Sequence, residues 1–128
     1  MSTGRTSKSR LGSRGEDLTE QFLVQQGFKV IARNYRAGHG EIDLIAWEGN
    51  VLVFIEVKTA TSLAFGEPET WVDEKKQRTI IRTAISYLQH NHIEDTDCRF
   101  DVVAVNLSHR QHEIHHYRNA FWVKSEQS

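Results

Sequence analysis

The sequence predicts an α/β domain on three observations. Two stretches carry apolar residues at helical spacing, five runs are rich in β-branched and aromatic residues, and a Gly-Asn dipeptide joins two of those runs. The length of 128 residues suits one domain, with 1–12 expected as a disordered basic tail and 13–128 as a single folded unit. At 38% apolar and 26% charged, with no apolar run near the ~20 residues a membrane span needs, the chain reads as soluble. The basic N-terminus lacks the apolar core of a secretory signal, and Cys98 alone allows no intramolecular disulfide, so a reducing, cytoplasmic setting is expected.

Ser13-Arg14-Gly15-Glu16 has the capping-box form and leads to Leu18, Phe22 and Leu23 at helical spacing, predicting a helix over about 14–26. Phe28 to Tyr35 reads as a strand and 36–40 as a glycine-containing loop. Runs 41–48 and 51–58 flank Gly49-Asn50, a dipeptide suited to a two-residue hairpin turn, so they pair antiparallel. Ala60 to Thr70 contains Pro68 and predicts a loop over the candidate site. In 71–90, Val72, Ile80, Ala84, Ile85 and Leu88 interleave with Lys75, Lys76, Arg78 and Arg82, an amphipathic helix with a basic side. Residues 99–107 form an apolar strand, 112–118 a last strand, and Phe121-Trp122-Val123 a closing segment.

With Gly49 and Asn50 as the turn, facing residues have numbers that sum to 99. Trp47 then faces Leu52, Ile45 faces Phe54, Asp43 faces Glu56 and Glu41 faces Lys58 on one side of the ribbon. Ile42, Leu44, Ala46, Val53, Ile55 and Val57 line the other. Two carboxylates opposed at about 5 Å repel by about 3 kcal/mol at an effective dielectric of about 20. A shared proton offsets that repulsion, as does a bridging Mg²⁺ or Mn²⁺, a hard cation that takes oxygen ligands and keeps several waters. Lys58, on the same face, is placed to orient or deprotonate a bound water or to stabilise charge on a scissile phosphate. The competing structural reading is a solvated sheet edge with a Glu41 to Lys58 salt bridge, which leaves the opposed Asp43 and Glu56 unexplained.

Ile42-Asp43, twelve intervening residues and Glu56-Val57-Lys58 together resemble the D…ExK signature of the PD-(D/E)xK nuclease superfamily. The bacterial YraN family is closer still. The resemblance runs through Gly15-Glu16-Asp17, Arg33-Asn34-Tyr35-Arg36, Gly40 to Ala46, Val53 to Thr59, Phe65-Gly66, Arg99 to Val103 and Asn119-Ala120-Phe121, roughly residues 13–122. That family is similar in its core to archaeal Holliday-junction resolvases, which implies a restriction-endonuclease-like αβββαβ core, a mixed sheet flanked by helices, and an active site at one end of the hairpin.

The resemblance implies Asp43, Glu56 and Lys58 as catalytic residues, with Glu16 from the N-terminal helix as a further carboxylate. Mg²⁺ or Mn²⁺ would be held by Asp43, Glu56 and the Val57 backbone carbonyl, with Glu16 able to join. Lys75, Lys76, Gln77, Arg78 and Arg14 are the expected nucleic-acid contacts. Glu16 also has a plain reading as the capping-box glutamate. After Thr59 the family commonly has Arg where this chain has Ala60, which bears on phosphate contacts and not on metal ligands.

The expected function is a divalent-metal-dependent endonuclease hydrolysing phosphodiester bonds in structured or branched DNA; the alternative is a catalytically silent nucleic-acid-binding or adaptor module on the same fold. DNA before RNA is the expected partner, and the sequence leaves open a homodimer, the assembly junction cutters usually need to nick two strands. Net charge is only −1, but Arg5, Lys8, Arg10 and Arg14 precede the first acid and form an arm able to touch phosphates. His112 and His116 share one strand face and His115 takes the other, so the histidines are not spaced for zinc. Asp101, inside an apolar strand, reads as a buried, hydrogen-bonded structural carboxylate. Trp47, Trp71 and Trp122 read as core sooner than as base-stacking platforms.

Overall fold

The computed structural model describes residues 10–61, 71–108 and 111–123. In chain order the elements are α1 (Arg10–Gln25), β1 (Lys29–Ala37), β2 (Gly40–Glu48), β3 (Val51–Ala60), α2 (Glu74–His90), β4 (Cys98–Asn106) and β5 (Glu113–Phe121). The strands form one sheet in the order β1-β2-β3-β4-β5, antiparallel except for the β3 and β4 pair, which is parallel. A parallel pair needs a crossover, and α2 supplies it. The result is the α/β, mixed-sheet, restriction-endonuclease-like core.

Several boundaries differ from the sequence expectation. Helix α1 is already formed at Arg10, the first described residue, so Ser13 and Glu16 lie inside the helix and neither is a cap. β1 runs through Ala37, which shrinks the expected loop to Gly38-His39. α2 starts at Glu74 because Asp73 caps it, its side chain accepting the Lys76 N–H at 2.8 Å. β5 continues to Phe121 and takes in the first residue of the closing segment, leaving Trp122 and Val123 outside the sheet. The anticipated tail up to residue 9, most of the anticipated loop (62–70) and His109 lie outside the described residues.

Each face of the sheet is covered by one helix. On one face Ile80, Ala84 and Tyr87 of α2 pack on Ile45, Leu52, Phe54, Phe100 and Val102. On the other, Leu23 of α1 and Phe28 pack on Leu44, Ala46, Val53, Ile55, Val103 and Val105. Two-sided burial is why β3 and β4 read as continuous apolar runs instead of alternating ones. Trp47 and Trp71 are partly buried against the α2-side cluster, whereas Trp122 is 61% exposed.

Both helices approach the sheet through a glycine. A Cβ on Gly15 of α1 would run into the Thr59 hydroxyl of β3, and one on Gly40 of β2 into the Thr83 hydroxyl of α2. We expect Gly15→Val to destabilise the fold by about 1–3 kcal/mol through overpacking, visible as a lowered denaturant midpoint. A midpoint equal to the wild type would show that α1 is free to shift.

The far end of the sheet is tied by a buried ionic network. Asp101 is 0% exposed; its carboxylate accepts from Arg99 Nε at 2.8 Å, from His116 Nε2 at 2.7 Å and from the Asn119 backbone N–H at 2.9 Å. Burial alone would raise the Asp101 pKa, but these bonds and the Arg99 charge outweigh it and hold the carboxyl below its usual range. Arg99 and Arg118 both grip Glu48, at 2.8 and 2.7 Å, and depress its pKa as well, the Arg118 bond contributing most. Asn119 sits at φ 53°, the left-handed kink by which β5 follows the register shift opposite Phe100 and Val102.

Candidate active site

The 99-sum register holds from Glu48 opposite Val51 to Leu44 opposite Ile55, and then the ladder stops. Asp43 does not face Glu56 as an ordinary cross-strand pair. Its carboxylate turns into the gap between β2 and β3, where Oδ2 accepts the backbone N–H of Val57 at 2.8 Å. A side chain thus replaces a ladder carbonyl one residue away from Glu56.

The alternation of β2 slips by one residue at this point. Ile42 joins Ile45 in the α2-side cluster, while Leu44 lies in the α1-side cluster, which corrects the expectation that Ile42 shares the aliphatic face of Leu44. β1 slips at the same level. Ala32 and Tyr35 pack on the α2 side, Arg33 reaches the acids of α1, and Asn34 between them has φ 56°. Arg33 pairs with Leu44 and Tyr35 with Ile42, which brackets Asn34 opposite Asp43. Asn is among the few residues other than glycine that enter the left-handed region at low cost.

The slip also separates Glu41 from Lys58. It turns Glu41 toward the opposite face from Lys58, and Glu41 lies 3.7 Å from Arg36, so the expected Glu41 to Lys58 salt bridge does not form. Lys58 is exposed and makes no ion pair among the described residues. By strand alternation it shares the α2 side with Phe54 and Glu56.

Glu56 has a partner from the helix above it. Lys76 Nζ lies 3.0 Å from Glu56 Oε2, with the glutamate side chain 15% exposed and the lysine 51%. Glu16 is on the other face of the sheet. Only 1% exposed, it is held by Arg33, whose Nε lies 3.4 Å from Glu16 Oε1. The same guanidinium contacts Asp17 at 2.7 Å and Glu20 at 3.3 Å and donates to the Ser13 carbonyl at 3.2 Å. Partial burial works against the Arg33 charge, but this acidic surround prevails and raises its pKa.

The expected nucleic-acid residues do not all gather. Lys75 and Arg78 are exposed near the start of α2, Arg78 within 3.9 Å of Glu74, whereas Gln77 is committed to the helix lead-in, donating to the Val72 carbonyl at 2.9 Å. Arg14 is exposed on α1, across the sheet from α2. Sequence reasoning gave no role to Asn34 or Arg33 and placed Lys76 on substrate instead of on Glu56. An Asn within a strand is the one local signal that pointed to the slip.

The donor set suits a hard cation. Asp43 of β2 bonds to Val57, the residue next to Glu56 on β3, and the Asn34 side-chain oxygen opposite Asp43 is buried with no hydrogen-bond donor among the described residues. A cation, the Lys76 ammonium, already stands on Glu56. Among the described residues no three His, Cys, Asp or Glu side chains group as a metal cage. An ion held by Asp43 and Glu56 would complete its shell with water.

A family profile described as "Uncharacterised protein family UPF0102" matches residues 15–105. A UPF0102 protein of Chlorobium chlorochromatii is 44% identical over 125 residues, covering 92% of this chain and 95% of its own. One from Pelobacter propionicus is 42% identical over 123 residues, covering 94% and 88%, and one from Rhodococcus opacus is 45% identical over 112, covering 87% and 95%. Among the described residues no helix is long and apolar enough to cross a membrane. The matched span takes in α1, the slipped β1 to β3 ribbon and α2 as one unit, and the chain belongs to the UPF0102 family, the YraN family that its motifs resemble.

Proposed function

We propose that this protein is a divalent-metal-dependent endonuclease acting on structured or branched DNA. The observation that carries the reading is the break in the β2 and β3 ladder. It sets the Asp43 carboxylate against Val57, between Glu56 and Lys58, at a point where an unbroken sheet would place a backbone carbonyl. Such a break replaces a ladder bond with a side-chain bond and so calls for a local purpose.

In this reading Asp43, Glu56 and the Val57 carbonyl hold Mg²⁺ or Mn²⁺, with Glu16 joining only if Arg33 releases it. A bound divalent ion would polarise the phosphate and make a water nucleophilic near neutral pH. Lys58, exposed and without an ion pair among the described residues, would orient or deprotonate such a water or meet the charge growing on the phosphate. Lys75, Lys76 and Arg78 position the sugar-phosphate backbone along α2, and Arg14 adds charge from α1.

A second reading, a silent nucleic-acid-binding module, is favoured by one observation: Lys76 on Glu56 already neutralises the site. Cleavage of linear, flapped and four-way DNA with Mg²⁺ or Mn²⁺ separates the two. Cutting that disappears in both Asp43→Asn and Glu56→Gln supports the nuclease. Cutting that persists in both, or Mn²⁺ calorimetry showing no uptake, would sink it.

A further inference from the structure

We propose that Lys76 is a resident counter-ion that occupies Glu56 in place of the divalent cation, and that nucleic-acid phosphate draws it away, so that metal and substrate load together. The inference rests on the reading of Asp43 and Glu56 as metal ligands and goes beyond it by assigning how the site is kept closed.

The geometry sets up this exchange. Lys76 sits in the first turn of α2, at the position whose backbone N–H the Asp73 cap accepts, so its Cα is fixed while its long side chain is half exposed. The ammonium reaches Glu56 at 3.0 Å, whereas Lys75, one position earlier, is exposed and turned roughly 100° around the helix. A hard divalent cation and an ammonium compete for the same carboxylate, since each is attracted to Glu56 and repelled by the other. A phosphate on the N-terminal half of α2 offers the ammonium an alternative acceptor only a rotamer change away, beside Lys75 and Arg78.

Two linked equilibria follow. Without nucleic acid the lysine weakens metal binding; with nucleic acid bound, the lysine leaves and the metal site opens. Linkage is reciprocal, so metal must then tighten nucleic-acid binding by the same factor. Such a device keeps a nuclease poorly metallated until a phosphate backbone lies across α2.

The test reads metal affinity, not activity. Mn²⁺ binding is titrated by calorimetry in the wild type, Lys76→Met, Lys76→Arg, Lys75→Met, Asp43→Asn, Glu56→Gln and the Glu56→Gln, Lys76→Met double variant, with thermal melts confirming that each folds. Lys76→Met is expected to bind Mn²⁺ roughly fivefold more tightly than the wild type, the scale of a half-exposed ion pair. Lys76→Arg and Lys75→Met should stay near the wild-type value, and Lys76→Met should add nothing once Glu56 is Gln. Unchanged affinity in Lys76→Met, equal tightening in Lys75→Met, or the same tightening with Glu56 already Gln would overturn the counter-ion role. Mn²⁺ binding indifferent to both Asp43→Asn and Glu56→Gln would instead remove the metal site itself, and the counter-ion role with it.

Discussion

Asp101→Ala is expected to lower the stability of the fold by about 3–5 kcal/mol, the usual cost of stranding the partners of a buried charge. Arg99, His116 and the Asn119 N–H all bond to this one carboxylate, and Arg99 leads on to Glu48 and Arg118. Domains of this size are stable by only about 5–15 kcal/mol, so the loss is a large share of the total. It should appear as a fall of roughly 10–20 °C in melting temperature. A fall of only a degree or two would mean that β5 is held by its backbone ladder alone.

The same network sets the acid limit. Asp101 and Glu48 both have folded pKa values below their unfolded ones, so their contribution is complete above about pH 5 and fades as pH falls through the folded values. The melting temperature should be flat between about pH 5 and 7 and drop below about pH 4. In Asp101→Asn the drop should be shallower, because one of the two depressed carboxylates is gone. An acid profile parallel to that of the wild type would assign the limit to other groups.

Asp43→Asn and Glu56→Gln carry the largest expected effect on activity. Each removes a formal charge from the proposed cation site, and a loss of about 4 kcal/mol in transition-state stabilisation corresponds to about a thousandfold slower cleavage. The Asn variant is the informative one at Asp43. Its side-chain oxygen still accepts the Val57 N–H, so the fold should be kept while the charge is lost, whereas Asp43→Ala also breaks the strand contact and should cost a further 1–3 kcal/mol of stability, on the order of one buried hydrogen bond left unmade. Single-turnover cleavage with denaturant melts of the three variants separates the roles. Full activity in the stable Asn variant would remove Asp43 from the chemistry.

The sequence made the fold legible wherever local pattern decides it. Gly49-Asn50 set a turn in which only Gly49 takes positive φ, and the pairing it dictates held for five residue pairs. It failed at Asp43, where a side chain outcompetes the backbone for the Val57 N–H, and a periodicity of two contains no warning of that. The capping box misled for a related reason: Ser13 and Glu16 have the right spacing, but the helix continues past them to Arg10, and Arg33 from β1 claims the carbonyl of one and the carboxylate of the other. Pairs distant along the chain were beyond reach altogether. Lys76 meets Glu56 and Arg118 meets Glu48 only because α2 crosses one face of the sheet and β5 closes the far side. The basic side of α2 was visible as a charged stripe, but which of its lysines turns inward depends on where Asp73 starts the helix.

The bond between Asp43 and Val57 also makes the molecule its own indicator. Because that N–H points at a carboxylate oxygen, its proton chemical shift and its exchange with solvent track the charge on Asp43. A single resonance in an amide spectrum would therefore follow ligand arrival at the site in solution, with no label attached and no substrate turned over.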